Sequence, residues 1–490
     1  MAATDDKLMD VAYKSDDEEE DGDDVPLIDN STVAAGRRKC VLIELPVFLY
    51  FMSLVTGYPV VQFYLFDWFS EQYGVQRSQN DTNPCGNLSA KNHSSSDAEV
   101  QVQTKTSQYV MYMSFITNFT AIIPTLLLGI LTDRFGRKFV FYVSSLGMLA
   151  SQILTIAVFH WKLSPNLLFL ANLFMGLSGS FGLFLAAVFG IVADLTSPGK
   201  ERAVRVTTME AAIAIASSAG IAASGIWVKH MGYIWPMVFA ASLNVVALVY
   251  VVFFVRETLG EHQHQPFSCL SLIRCFEFYF KDTPNKRRFR LVICLICFMI
   301  TIGCFMGEVN FNMLYLLHQP FCWDKTQITV FNGVLTLIKW ITVVTFIQLG
   351  KRWISEPVFA IIGSTSLAAG YLLRGLAWSD LLIYVGAGVS VLTELVSPMT
   401  RTMMSKAVSA SEQGALFAGI GVLQMVVSSV SGITLSAIYN VGLKVFLGLP
   451  YMVIAGVACI NIVLLTVLII RIKRNPQLGQ SNVVHEQVIN

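Results

Sequence analysis

The chain has 490 residues, of which 54% are hydrophobic and only 14% charged, where a soluble protein carries about 25% charged. This balance argues against a soluble enzyme, and the absence of a basic stripe with interleaved aromatics argues against nucleic acid as a partner. The net charge of +1 hides a division, because twelve of the 33 acidic residues lie in the first thirty positions and the rest of the chain is basic.

Residues 1–39 are poor in apolar side chains and contain the run Asp16-Asp17-Glu18-Glu19-Glu20-Asp21. Such a block cannot bury enough surface to order itself, so an acidic, disordered tail is expected. Apolar runs follow, each long enough to cross a hydrocarbon core about 30 Å thick. They predict spans over 41–66, 109–131, 139–160, 166–192, 206–228, 234–255, 291–317, 327–349, 355–377, 381–400, 414–438 and 450–470. A polar, basic stretch at 256–290 separates two sets of six, giving one bundle over 40–255, another over 291–470 and a short tail over 471–490. The expected class is an all-α membrane protein with the bilayer as its permanent partner. Lys and Arg gather at Arg37-Arg38-Lys39, Arg134 to Lys138, Lys200 to Arg205, Lys286-Arg287-Arg288, Lys351-Arg352 and Arg471. Positive loops stay in the cytosol, so both termini are expected there.

The loop at 67–108 then faces outward or into a lumen. It holds three glycosylation sequons, at Asn80, Asn87 and Asn92. Asn30 and Asn118 also match, but one is cytosolic and the other intramembrane, so neither is expected to be used. Of nine cysteines only Cys85 and Cys322 fall in loops on the oxidising side, and a disulfide between them would pin the long loop to the loop after span 7. The alternative is two free thiols.

Between spans 2 and 3 the chain reads Gly129-Ile130-Leu131-Thr132-Asp133-Arg134-Phe135-Gly136-Arg137-Lys138. The stretch resembles the major facilitator signature G-x-L-x-D-R-x-G-R-K. The glycines permit a tight turn, Asp133 can cap a helix N-terminus, and Arg134 and Arg137 can pair with acids on neighbouring helices. Together these contacts form a cytosolic latch. A weak repeat supports two related halves: Asp194 to Ala203 follows span 4, and Ser405 to Gly414, with Glu412, follows span 10. The copy expected after span 8, Leu349-Gly350-Lys351-Arg352, is degenerate. The resemblance implies a major facilitator fold, with twelve transmembrane helices in two six-helix bundles and a solute site near the bilayer midplane.

Three further stretches carry a narrower resemblance: Pro320-Phe321-Cys322-Trp323-Asp324, Ser405-Lys406 through Glu412-Gln413-Gly414-Ala415-Leu416-Phe417, and Met209-Glu210-Ala211. Together they look like the solute carrier 46 family, from Glu44 to about residue 470. That likeness implies proton-linked transport of an organic, often anionic, small-molecule solute such as a folate, a steroid conjugate or a muropeptide. It makes Glu210 the proton-coupling acid, ties Arg401 to substrate and proton handling, and matches Asp133 and Arg137 to the gate. There are departures. The folate-transporting member has a span-7 histidine where this chain has Cys304-Phe305, and a span-4 aspartate with no acidic counterpart within Gly176 to Gly182. Glu308, Lys339 and Glu394 add charge where that member is uncharged.

Those charges can also be read from cost alone. An ionised group near a helix centre costs about 2.5–3.5 kcal/mol on insertion scales, so each should face a cavity or a partner. A Lys339–carboxylate pair with Glu308 or Glu394 could exchange its partner for a proton or a solute; the alternative is a static ion pair. Glu308 is a second candidate for the proton, and Lys339, Glu394 and Arg401 are the candidates for solute contact. Arg374, near the end of span 9, is expected to snorkel. No His, Cys, Asp or Glu spacing suits a metal and no nucleophile–base set stands out, so protons are the only coupling agent expected. Rival functions are a uniporter or organic-anion exchanger, and a non-transporting receptor or scaffold. Finally, Asp23-Asp24-Val25-Pro26-Leu27-Ile28 fits an acidic dileucine pattern that clathrin adaptors read in unfolded cytosolic tails. It points to a lysosomal or endosomal membrane, with the plasma membrane as the alternative.

Overall fold

The computed structural model describes residues 43–75, 93–196, 200–255, 257, 287–350, 352–408 and 413–474. The sorting motif (Asp23, Leu27, Ile28), the sequons Asn80, Asn87 and Asn92, Cys85 and Glu412 lie outside those residues, and the side chains of Asp133, Arg134 and Asp194 are likewise not described. Among the described residues every regular element is helical. The first half comprises α1 (Glu44–Gln72), α2 (His93–Phe135), α3 (Arg137–His160), α4 (Leu167–Leu177), α5 (Ser180–Leu195), α6 (Lys200–Met231) and α7 (Ile234–Phe254). The second comprises α8 (Arg287–Leu317), α9 (Lys325–Gly350), α10 (Glu356–Gly375), α11 (Asp380–Val389), a 3-10 turn (Ser390–Leu395), α12 (Val396–Ser405), α13 (Gln413–Val445) and α14 (Leu449–Arg474). Among the described residues, twelve helical segments are long and apolar enough to cross a membrane, where the helix is favoured because it satisfies its own backbone hydrogen bonds.

Several helices run five to seven residues past the expected spans, and the largest departure is at the start of span 2. The 67–108 loop is shorter than its polarity implies, because α2 begins at His93 and enters the loop as helix. Its early turns bury Glu99, Val102, Gln103, Thr106, Ser107 and Val110, a helical stripe at i, i+3, i+4 and i+7 spacing. The stripe is mostly polar, so hydrophobicity alone misses it. Gln103 accepts a hydrogen bond from Tyr439 of α13 at 3.1 Å, which fixes this extension against the second half.

Spans 4 and 10 are broken. Span 4 divides at Gly179 and Ser180, whose φ values are 81° and 53°; the positive φ suits a glycine and is unusual for a serine. The carbonyls freed there are not left bare: Ser144 donates to the Ser178 carbonyl and Thr125 to that of Gly179, each at 3.3 Å. Span 10 tightens into the 3-10 turn, where Ser366 donates to the Val389 carbonyl at 2.6 Å and accepts from the Leu392 amide at 3.3 Å. Interruptions at corresponding places in two halves are a mark of transporter binding sites.

The halves meet along two long seams, α6 against α9 and α2 against α13. Small residues allow the first: a Cβ on Gly225 would strike Thr329, and one on Gly333 would strike Ala222 and the Ser218 carbonyl. Ser218 donates to the Gly333 carbonyl at 2.8 Å. This is the close small-residue packing used between membrane helices.

Candidate functional site

At the signature-loop end, Gly136 (φ 95°) separates α2 from α3. The backbone amides of Arg137 and Lys138 donate to the Glu257 carboxylate at 2.9 and 3.1 Å. An acid satisfying the first free amides of a helix also meets the positive end of its dipole. Glu257, just after α7, thus caps α3, while the side chain of Asp133, the expected cap of a neighbouring helix, is not among those described. The Arg137 side chain lies against Gly190 of α5. Each half is also tied to itself at this end, by Arg205–Glu44 at 3.1 Å in the first and by a Lys406–Glu356 pair in the second. Gly129 lies within α2, and Asp194 within α5.

The other end is where the halves are joined. Asp67 at the end of α1 accepts from Lys325 at the start of α9 at 2.5 Å, and also from the Tyr233 hydroxyl. Lys325 reaches that hydroxyl as well, at 2.8 Å. Burial, with the Asp67 carboxylate beside it, pushes the Tyr233 phenol above its ordinary range, so it remains a donor. Lys229 and Asp324 add a looser pair at 3.6 Å. Deeper in, Tyr58 donates to Asn310 at 2.7 Å. These hydrogen bonds and ion pairs between the halves, with that of Ser218 to the Gly333 carbonyl, run from the middle of the spans to this end. Sequence reasoning misses Asp67, Tyr233 and Lys325; charges at the ends of spans ordinarily face water and carry no signal of pairing.

Between the two ends lie the predicted charges. Glu210 on α6 and Arg401 on α12, one from each half, act on each other electrostatically without closing to an ion pair. Glu210 is exposed. The Arg401 guanidinium sits 4.8 Å from the Phe298 ring centroid and makes a long 3.5 Å contact to Gln424 Oε1, while its Nε is buried without a partner. Glu308 on α8 is buried and does not pair with Lys339. Its partner is Arg374, whose Nη1 donates at 2.7 Å, and Tyr371 donates to its second carboxylate oxygen. Arg374 does not snorkel; it is 3% exposed, with Tyr315 donating to its backbone carbonyl at 2.7 Å. A fixed carboxylate two turns of α8 below the loop outweighs the pull of water on the guanidinium. Lys339 is buried, yet makes no hydrogen bond or ion pair among the described residues. Neither does Glu394, which the 3-10 turn of span 10 presents to a cavity of about 190 Å³ lined also by Thr301, Phe305, Tyr371, Ser397 and Gln424. Cys322 is disulfide-bonded, and the cysteine it joins lies outside the described residues. Among the described residues no group of His, Cys, Asp and Glu could hold a metal ion.

The family model of the Major Facilitator Superfamily matches residues 47–432. The chain is 27% identical to the lysosomal proton-coupled steroid conjugate and bile acid symporter SLC46A3 of Gallus gallus, over 86% of this chain and 92% of that protein. It is also 27% identical to the proton-coupled folate transporter of Rattus norvegicus, over 87% of this chain and 91% of that one. Among solved structures, the nucleoside transporter NupG superposes with a TM-score of 0.61 at 12% identity, covering 87% of this chain and 98% of NupG. The human organic anion transporter MFSD10 does so with a TM-score of 0.58 at 17% identity, covering 88% and 99%. At these identities the structural likeness bears on the fold alone.

Proposed function

The chain belongs to the Major Facilitator Superfamily, and we propose that it is a proton-coupled symporter of a small, organic, anionic solute. It is a multi-pass membrane transporter rather than an enzyme. The observation that carries the coupling is the unclosed facing of Glu210 and Arg401 from opposite halves. A proton arriving on Glu210 removes the negative charge that competes for Arg401. The guanidinium is then available to an anionic group of the solute, which replaces the lost carboxylate. With both charges offset, the halves can reorient, and loss of the proton on the far side returns the carboxylate and expels the solute. Glu308 is the poorer proton carrier, because it is committed to Arg374 and Tyr371. Lys339 and Glu394 remain for solute contact.

The similarity to a proton-coupled symporter and to a proton-coupled transporter supports this reading. The solutes in those relatives' names, a folate and steroid conjugates, are candidates here, and a muropeptide is a further one. A lysosomal or endosomal membrane, with an acidic lumen driving export to the cytosol, fits the tail motif and the lysosomal relative. On the lumenal side we place N-glycans on Asn80, Asn87 and Asn92, and Cys85 as the partner of Cys322.

The test is uptake into proteoliposomes with an imposed pH gradient, using a panel of organic anions. Accumulation that follows the gradient, and is abolished by a protonophore, is expected. Equal uptake at both pH values would mark a uniporter or exchanger instead, and no uptake across the panel would mark a receptor or scaffold.

A further inference from the structure

The cavity beside the broken tenth span is small. At about 190 Å³ it falls below the roughly 300–1,000 Å³ of pockets that enclose a whole drug-sized ligand. It is therefore a place for one end of a solute. Its walls come from α8, α10, the span-10 break, the start of α12 and α13, all within the second half.

The chemistry of that end is set by which polar groups are already committed. Tyr371 lines the cavity, but its hydroxyl is spent on Glu308, so it offers the cavity its ring. Glu308 and Arg374 neutralise each other behind that ring. Phe305 supplies a second aromatic wall. What remains uncommitted is the Glu394 carboxylate, which has no partner among the described residues, with the neutral Thr393 and Ser397 hydroxyls and the Gln424 amide nitrogen around it; Glu394 is the one charged group among them. Glu394 is held there by the 3-10 turn rather than by any ion pair. A carboxylate beside two aromatic rings is the environment that takes an organic cation, through charge-assisted hydrogen bonds and the ring faces.

Arg401 stands seven residues along the same span, about 10.5 Å or two helical turns away on nearly the same face. Gln424 links the two places, since it lines the cavity and touches Arg401.

We propose that this cavity is a subsite for a protonated amine, and hence that the solute is dipolar, with an ammonium group on Glu394 and an anionic group on Arg401. This deepens the transport reading and rests on it for the role of Arg401. The length of the solute between its two charges is fixed by the two helical turns that separate Glu394 from Arg401. An anion lacking the amine binds through Arg401 alone and leaves Glu394 unpaired.

The test uses four probes on the purified full-length protein: 8-aminooctanoate, its N-acetyl derivative, octanoate and octylamine. Binding is read as the concentration that half-saturates the rise in thermal unfolding temperature. The expected result is that 8-aminooctanoate half-saturates at a concentration at least ten-fold below those of the N-acetyl derivative and octanoate. Glu394→Gln should abolish that preference, whereas Glu394→Asp, which keeps the charge, should retain part of it. Equal response to the amine and its acetylated form, a preference that survives Glu394→Gln, or no response to any probe overturns the proposal. Uptake under a pH gradient separates the two readings. Gradient-driven accumulation with no amine preference removes the ammonium subsite alone. An amine preference without accumulation removes the transport reading and leaves the subsite standing.

Discussion

Glu210 and Glu308 are both glutamates inside spans, yet their surroundings give them different work. Glu210 faces a cation across the boundary between halves, and Glu308 holds a cation within one half. Glu210→Gln keeps the shape and removes the titrating group, so transport should lose its rise at acidic outside or lumenal pH while solute binding survives. Full gradient-driven accumulation by that variant would move the coupling acid elsewhere. Glu308→Gln should instead act on the fold: leaving Arg374 unpaired in a buried site costs about 3–5 kcal/mol. A drop in the detergent-solubilised unfolding temperature is expected, with partial recovery when Arg374→Met is added, because an apolar pair leaves no buried charge. The intramembrane charges were legible in the sequence because lipid makes any charge conspicuous. Their pairing was not, since Glu308 and Arg374 lie on different helices and only packing decides which of several acids a cation meets. The spacing of Tyr371 and Arg374, three apart and so on one helix face, was the available hint.

At the level of elements, the helices themselves follow from hydropathy, and their boundaries fall within about seven residues of expectation except at the start of α2. The extension of α2 into the loop is buried by polar side chains, so a hydropathy reading starts the helix too late in the chain. The break in span 4 sits in the Gly- and Ser-rich stretch Gly176 to Gly182; the break in span 10 lies between Gly388 and Pro398, whose missing N–H cannot bond the Glu394 carbonyl. The latch was legible as a motif, but its partner Glu257 was not, being more than a hundred residues away. Gly136→Ala would force a side chain into a positive φ and against the Glu257 carboxylate, a strain of about 1–2 kcal/mol in the backbone alone. Slower transport with unchanged solute affinity is the expected reading. At the opposite end Lys325→Gln removes the ion pair with Asp67. The pair is partly exposed, so its loss is worth about 0–1 kcal/mol, at most a roughly five-fold shift toward opening. Cysteine probes placed on α1 and α9 near this end should be labelled faster in the variant; unchanged labelling would show that the tie does not hold the gate.

For the molecule as a whole, the plan of two six-helix halves could be read from the sequence because each half repeats the same span pattern around a polar divider. Orientation rests on charge. Mutating Asn80, Asn87 and Asn92 together should remove the mobility shift that glycosidase produces in the wild type, and a shift that persists would overturn the assignment of that loop to the lumen. Leu27→Ala with Ile28→Ala should carry a tagged protein from endolysosomes to the cell surface; a double mutant that stays inside would end the sorting role of the tail. The ties between the halves described above run from mid-span to the end carrying the sequon loop, and this has a pharmacological corollary. A carrier at rest, with no gradient imposed, presents its binding cavity to the compartment on the signature-loop side. A membrane-impermeant competitor should therefore inhibit when supplied from that side and spare the carrier when supplied from the other, until an acid pulse sets the population cycling and exposes the site to both.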